Sequence, residues 1–327
     1  MVLLIAIVVL GLVFDYTNGF HDTANAIATS VSTRALSPRV AVLMAAGLNL
    51  LGALIYTGVA KTVGEGLVHT ELVTLPVVLS ALVGAVMWNF TTWYFGIPSS
   101  SSQALFGGLI GAMIASAGLS GVLWSGVFDK IILPMIGSPF LGFVGAWLLM
   151  TGLIWLVRRR AQAPVNRWFR RLQPISAGFM AFSHGANDAQ KTMGIITLAL
   201  FSSGKISTFD VPLWVKIACA LAMAIGTYSG GWRIIHTLGS KVIKLDPIHG
   251  FAAETAAASV IQLATHFGFP VSTTHTITAA IMGVGSTQRL SAVRWGVAGN
   301  IMTAWVLTLP AAGLVGAGVF LLGAWLF

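Results

Sequence analysis

The chain has 327 residues, of which 56% are apolar and only 8% charged, with a mean hydropathy of +0.88. Soluble domains carry about 25% charged residues, so this composition cannot cover a water-facing surface, and a soluble enzyme or a nucleic-acid binder is excluded. Eighteen Lys and Arg against nine Asp and Glu leave a formal charge of +9, which in a lipid-facing protein sets orientation and contact with anionic lipid. The single Cys219 allows neither an intramolecular disulfide nor a cysteine metal cluster.

The first apolar stretch, residues 1–14, has no basic flank and no clean small-residue cleavage site. It reads as a retained membrane helix rather than a signal peptide. It stops at Asp15-Tyr16-Thr17-Asn18-Gly19-Phe20-His21-Asp22 and resumes over residues 24–31. A membrane helix needs roughly 20 apolar residues, and uninterrupted spans are expected at residues 40–60, 73–95, 141–157, 211–235 and 295–326. A second interrupted stretch, residues 175–182, stops at Ser183-His184-Gly185-Ala186-Asn187-Asp188 and resumes over residues 193–201. Two further apolar stretches open with Gly, Pro and hydroxyl residues, at Gly96 and at Gly268. Irregular backbone cannot face lipid, so the expected breaks are buried in protein or line a cavity.

Basic residues assign the sides. Arg158-Arg159-Arg160 with Arg167, Arg170 and Arg171 marks a cytoplasmic loop, and with an outside N-terminus 13 Lys and Arg fall on that side against 4 opposite. The expectation is an all-α polytopic membrane protein with both termini outside. Residues 1–157 form a first repeat of about five transmembrane segments, residues 158–173 a basic loop, and residues 174–327 a second, inverted repeat, with broken helices or re-entrant hairpins. The repeat is visible directly. Gly96-Ile97-Pro98-Ser99-Ser100-Ser101-Ser102-Gln103 returns in the second half as Gly268-Phe269-Pro270-Val271-Ser272-Thr273-Thr274-His275. Gly19-Phe20-His21-Asp22 returns, at nearly the same offset, as Gly185-Ala186-Asn187-Asp188. Two ordered pairs of interruptions in two halves are the pattern of an inverted-repeat transporter.

Each motif has a chemistry. Proline suits the first turn of a helix, whose first four N–H groups lack partners and, with the dipole, attract anions. The hydroxyls of Ser100, Ser101, Ser102, Ser272, Thr273 and Thr274 add neutral donors for an oxyanion, or else cap and glue helices. Asp22 and Asp188 lie inside apolar segments, where a lone carboxylate costs roughly 2.5–3.5 kcal/mol, so each needs a cation, a proton or a donor network. Asn25 and Asn187 supply amides beside them. Three-residue spacing puts Asp22 and Asn25 on one helix face, and oxygen donors alone leave a hard cation and a proton relay equally open. Glu254 is either an acid at a helix N-terminus or a proton carrier. Lys191 stands where the repeat places Asn25, so its ammonium replaces a bound cation or helps neutralise an anion. His21, His184 and His275 adjoin the motifs without metal-site spacing. They suit hydrogen-bonded packing, with a proton role also open.

Taken together, Gly19-Phe20-His21-Asp22-Thr23-Ala24-Asn25-Ala26, Ser183-His184-Gly185-Ala186-Asn187-Asp188-Ala189-Gln190-Lys191 and the two Pro-hydroxyl motifs resemble the inorganic phosphate transporter (PiT) family. The likeness is to its bacterial low-affinity, proton-coupled branch, and it runs through both halves. The resemblance implies a multi-pass secondary transporter of the bacterial cytoplasmic (inner) membrane that imports inorganic phosphate, as the anion or as a metal-phosphate complex, by alternating access with H⁺ or Na⁺. It implies no enzyme activity, no cofactor and no resident metal. Partners are phosphate, the coupling cation and membrane lipid, without nucleic acid; a homodimer is compatible with the resemblance, and no interface is legible. Carried over by motif, Ser100, Ser101, Ser102, Ser272, Thr273 and Thr274 would hold phosphate, and Asp22, Asn25 and Asp188, with Asn187 nearby, would serve ion coupling. Lys191 and Glu254 join that coupling set from the reading of the residues themselves. Sodium-coupled relatives resemble the first repeat in the second, with Asn where this chain has Lys191, and that departure favours protons. Sulfate is the rival substrate in the same family. Phosphate, unlike sulfate, can donate a hydrogen bond to an ionised carboxylate, which only accepts. Two broken motif-bearing repeats favour gated access over a channel, and no nucleophile–base–orienter set suggests an enzyme.

Overall fold

The computed structural model describes residues 1–326, apart from the side chains of Thr23, Trp325 and Leu326. Phe327, the last residue of the expected second repeat, lies outside the described residues. Within them the fold is helical, with no sheet and one isolated bridge, Val68 to Val122.

The first half runs through α1 (Val2–Ser32), α2 (Pro38–Ile55), α3 (Gly58–Glu65), α4 (Leu75–Phe95), α5 (Ser101–Ala117) and α6 (Trp124–Val127), which passes through a π-helical turn at Phe128–Ile132 into α7 (Leu133–Val157). The second half holds α8 (Gln162–Ser202), α9 (Leu213–Ser229), α10 (Trp232–His236) with a π-helical turn at Thr237–Lys241, α11 (Pro247–His266), α12 (Thr273–Ser286) and α13 (Trp295–Leu326). Five helical runs are long and apolar enough to cross a membrane, or six if α9 with α10 and its π turn is one bent span. The remaining crossings expected from sequence fall on α5, α8, α11 and α12, which fall short in length or in hydropathy.

Several expected breaks are in the wrong places. The two Asp motifs do not interrupt anything: α1 is continuous through Asp15–Asp22 and α8 through Ser183–Asp188. Polar side chains that face neighbouring helices need no relief from the backbone, whose N–H and C=O groups stay paired within the helix. The expected span 40–60 instead breaks at Tyr56-Thr57, and 211–235 breaks at Gly230-Gly231 with a 61° bend. The span 141–157 begins earlier, at Leu133. The basic loop expected at 158–173 is non-helical only over 158–161, so Arg167, Arg170 and Arg171 ride on the first turns of α8.

The motif glycines explain how the long helices approach one another. A Cβ on Gly19 would lie 2.3 Å from the Met223 carbonyl oxygen, and one on Gly226 would lie 2.1 Å from that of Tyr16. The same exchange joins α8 to α2, where Cβ atoms on Gly185 and Gly52 would lie 2.2 Å from the carbonyls of Asn49 and Phe182. Only glycine allows backbones this close, as in membrane helix pairs generally. Two apolar clusters result. One holds Leu4, Ile7 and Phe14 of α1 with Met193, Ile196 and Leu200 of α8; the other holds Ala24, Ile27 and Ala28 with Phe169, Met180 and Ala181. The polar middles of α1 and α8 lie between these clusters.

Candidate anion and cation site

The Pro-hydroxyl motifs are where chain continuity does fail. α4 ends at Gly96 (φ 64°) and α11 ends just before Gly268 (φ 72°), left-handed conformations that glycine adopts without strain. Ile97 N–H then bonds the Thr92 carbonyl at 2.9 Å, and Phe269 N–H bonds that of Ala264 at 2.8 Å. Pro98 and Pro270 lie in the non-helical linkers that follow, not in the first helical turn as expected. The first hydroxyl of each triad is a helix cap: Ser100 Oγ accepts from Gln103 N–H at 3.3 Å, and Ser272 Oγ from His275 N–H at 3.2 Å. Each of these two hydroxyls therefore fixes a helix start with its lone pair and keeps its O–H to donate.

Three of the four remaining hydroxyls, those of Ser102, Thr273 and Thr274, converge on the Asp motifs. Thr274 Oγ1 donates to Asp22 Oδ1 at 3.1 Å, and Asn25 Nδ2 donates to Thr274 and Thr273 at 2.9 and 3.3 Å. Thr273 Oγ1 donates to Asp188 Oδ2 at 3.0 Å. Lys191 Nζ contacts Asp188 Oδ1 at 2.6 Å, Ser102 Oγ at 2.5 Å and the Val271 carbonyl at 2.7 Å. Asn25 on Thr274 and Lys191 on Ser102 are thus equivalent contacts at repeat-related positions, one made by an amide and the other by an ammonium. Ser101 Oγ and Asn25 Oδ1 are buried without a hydrogen-bond partner among the described residues. The whole constellation is closed, with Asp22, Asn25, Ser101, Ser102, Asp188, Lys191, Thr273 and Thr274 all at most 4% exposed.

Two histidines bear on the carboxylates more directly than their sequence positions indicated. His21 Nδ1 lies 2.8 Å from Asp22 Oδ1, while its Nε2 lies 3.0 Å from Thr92 Oγ1. His184 Nε2 lies 3.3 Å from Asp188 Oδ2 and its Nδ1 2.9 Å from Asn49 Oδ1. Among the described residues, Asp22, His184 and Asp188 each offer a ligand atom within 4.8 Å of the others, a spacing that could hold a metal ion. His275 stacks on Trp305, whose indole N–H reaches the Pro98 carbonyl at 3.2 Å, so one side chain of α13 touches both motifs.

Two expected residues stand away from this centre. Asn187 turns to the α11–α12 linker, donating to Thr265 Oγ1 at 2.8 Å and accepting from Val271 N–H at 3.3 Å. In this structure both ends of its amide brace the motif. Glu254 occupies a separate buried cage, accepting from Ser30 at 2.6 Å and Gln173 at 3.3 Å as well as from Thr29 and Ser176. It therefore neither caps the N-terminus of α11 nor touches the hydroxyl motifs. Sequence reasoning missed Asn49, Thr92, Gln173 and Ser176. A lone amide inside the apolar 40–60 segment was the available signal for Asn49.

Comparison with known proteins agrees with this architecture. The family model described as the phosphate transporter family matches residues 18–316. A protein of Rhizobium meliloti named "Probable low-affinity inorganic phosphate transporter" is 52% identical over 96% of this chain and 95% of its own length. One of the same name from Mycobacterium tuberculosis H37Rv is 52% identical over 96% of this chain and 76% of its own, and the Bacillus subtilis protein is 47% identical over 97% and 96%. A solved structure titled "The sodium-dependent phosphate transporter" superposes with a TM-score of 0.91 at 25% identity, covering all of both chains. These relatives are transporters and not enzymes, and by them and by its apolar helices this is a multi-pass membrane protein. With the family's pattern running from residue 18 to residue 316, the chain belongs to the phosphate transporter family.

Proposed function

We propose that this protein imports inorganic phosphate across a cytoplasmic membrane by symport with protons, through alternating access of two inverted repeats. The observation that carries the reading is Lys191, whose ammonium sits on Asp188 and Ser102 where the first repeat has neutral Asn25 on Thr274. One of two equivalent positions thus contains a built-in cation. The other, with Asp22 and the unpartnered Asn25 Oδ1, is left to exchange one with solution. Phosphate is taken between the N-termini of α5 and α12, where backbone N–H groups, the free Ser101 hydroxyl, Ser102, Thr273 and Thr274 supply donors. The Lys191 charge offsets part of the anion's.

The inverted-repeat reading rests on the crossed packing, α1 against α9 and α8 against α2, each at a motif glycine. Inversion lets rocking of one repeat against the other open the same centre to either side. The membrane potential supplies roughly 2.3 kcal/mol per charge per 100 mV, so uptake gains from it only when coupled protons outnumber the charge on phosphate. Asp188 takes part through its pairing with Lys191, and Glu254 as a proton station on the side of the basic α7–α8 junction. A second reading, sodium coupling, is favoured by the name of the structural relative. Carriage of a metal-phosphate complex is favoured by the Asp22–His184–Asp188 group.

Labelled phosphate uptake into proteoliposomes, with pH and Na⁺ gradients imposed separately, tests the reading. Accumulation under the pH gradient alone supports proton symport. Accumulation only with Na⁺ transfers the assignment to the second reading, and accumulation of sulfate instead of phosphate overturns the substrate.

A further inference from the structure

Four carboxylates are buried among the described residues: Asp15, Asp22, Asp188 and Glu254. Two are the repeat-related pair of the central site and one is the caged Glu254, which leaves Asp15 without a role. It lies in α1, 0% exposed, where Thr192 Oγ1 of α8 donates to its Oδ1 at 2.7 Å and its Oδ2 has no hydrogen-bond partner among the described residues. A carboxylate in that setting, held by neutral groups with no cation bonded to it, is costly when ionised, and intramembrane acids of this kind mark ion and proton routes.

Its position along α1 is equally informative. Asp15, Asn18, Asp22, Asn25 and Thr29 recur at alternating intervals of three and four residues, so they form one polar stripe on one helix face. All five are at most 2% exposed, and the last of them bonds Glu254. The stripe therefore begins at Asp15, passes the central site at Asp22 and Asn25, and ends at Glu254. Asn18 Oδ1, one turn beyond Asp15, is also buried without a partner. The repeat does not demand this acid, since the corresponding position of the second half is Ala181.

We propose that Asp15 is the outer loading station of the coupling proton, taking it up on its unpartnered oxygen before passing it along the α1 stripe to Asp22. The inference rests on the proton-symport reading above and extends it by a residue and a direction. Seven residues of helix separate Asp15 from Asp22 by roughly 10 Å, so the proton moves through water admitted beside Asn18 when the outer half opens. Asp15 gives up the proton it took from solution and is reset as a carboxylate, and no other reactant is needed. The titratable groups facing it are Cys219 on α9, whose thiol is placed to donate to the carboxylate, and Asp188 and Lys191 on α8; α4 brings no acid, histidine, lysine or arginine to the contact.

The test uses full-length protein in proteoliposomes. Asp15→Asn is a permanent mimic of the protonated acid. It should keep phosphate exchange between equal internal and external pools and lose accumulation driven by a pH gradient, with exchange no longer varying with pH. Asp15→Glu should restore both the driven accumulation and the pH dependence. Driven uptake by Asp15→Asn with the wild-type pH profile overturns the proposal. So does loss of exchange together with driven uptake in both variants, which would make Asp15 a packing residue. Wild-type protein that accumulates no phosphate under a pH gradient rejects the symport reading itself, a separate result from either.

Discussion

The two halves of the central site have the same carboxylate, the same hydroxyl order and the same helix spacing, yet different electrostatics. Around Asp188 the partner three residues on is Lys191, at 2.6 Å, buried and already bonded to Ser102 and Val271. Around Asp22 it is Asn25, which donates to Thr274 and leaves its own oxygen unpartnered. One half is neutralised from within, whereas the other presents oxygens that suit a charge from outside. A single difference in residue type, Lys191 against Asn25, thus gives two otherwise similar positions different charge.

The largest way to break that comparison is Asp188→Ala. It strands a buried ammonium, at a cost of about 3–5 kcal/mol, so thermal unfolding in detergent should drop sharply and uptake should vanish. Asp22→Asn, whose neighbours are neutral donors and His21, should lose driven uptake with a much smaller loss of stability. Lys191→Asn sharpens the comparison by making the halves alike. Its Asp188 then needs an external cation, so Na⁺ should raise the variant's unfolding temperature more than that of the wild type, which has one such position instead of two, through linkage to the folded state. Phosphate uptake by the variant should likewise require Na⁺.

Gly19→Ala and Gly185→Ala test what the halves share. Each adds a methyl group to a backbone crossing with no room for it, and overpacking of this kind costs about 1–3 kcal/mol. Similar losses of stability and of transport rate are expected from both, without any change of coupling ion. The smallest effects should come from Ser100→Ala and Ser272→Ala, which remove helix caps worth about 1 kcal/mol. Melting should shift modestly, and phosphate affinity should shift far less than on changing Ser101 or Thr273.

Much of this is legible in the chain. Apolar composition announces the membrane, and the basic residues near 158–171 mark the middle of the chain, although Arg167, Arg170 and Arg171 are helical. The duplicated Gly-x-Pro motifs predict true breaks because glycine at positive φ and proline without an N–H act on the local backbone. The Asp motifs mislead for the opposite reason. Their polarity suggests interruption, but a polar side chain breaks a helix only when nothing meets it, and α1 and α8 meet each other. Asn187 cannot be told from Asn25 by type or neighbourhood, since the difference lies in which helix each faces.

By itself the sequence determined that the protein is helical and apolar, that it is duplicated, where its two hydroxyl turns lie, and that Lys191 replaces an amide. These are consequences of composition, local backbone chemistry and self-similarity. Only the tertiary structure decided that Lys191 pairs with Asp188, that Ser100 and Ser272 are caps, that Glu254 sits in its own cage and that Asp15 keeps a free oxygen. Each of these depends on a partner from a distant part of the chain or on the turn of a single helix face, and burial in a low-dielectric interior makes the presence or absence of that partner decisive.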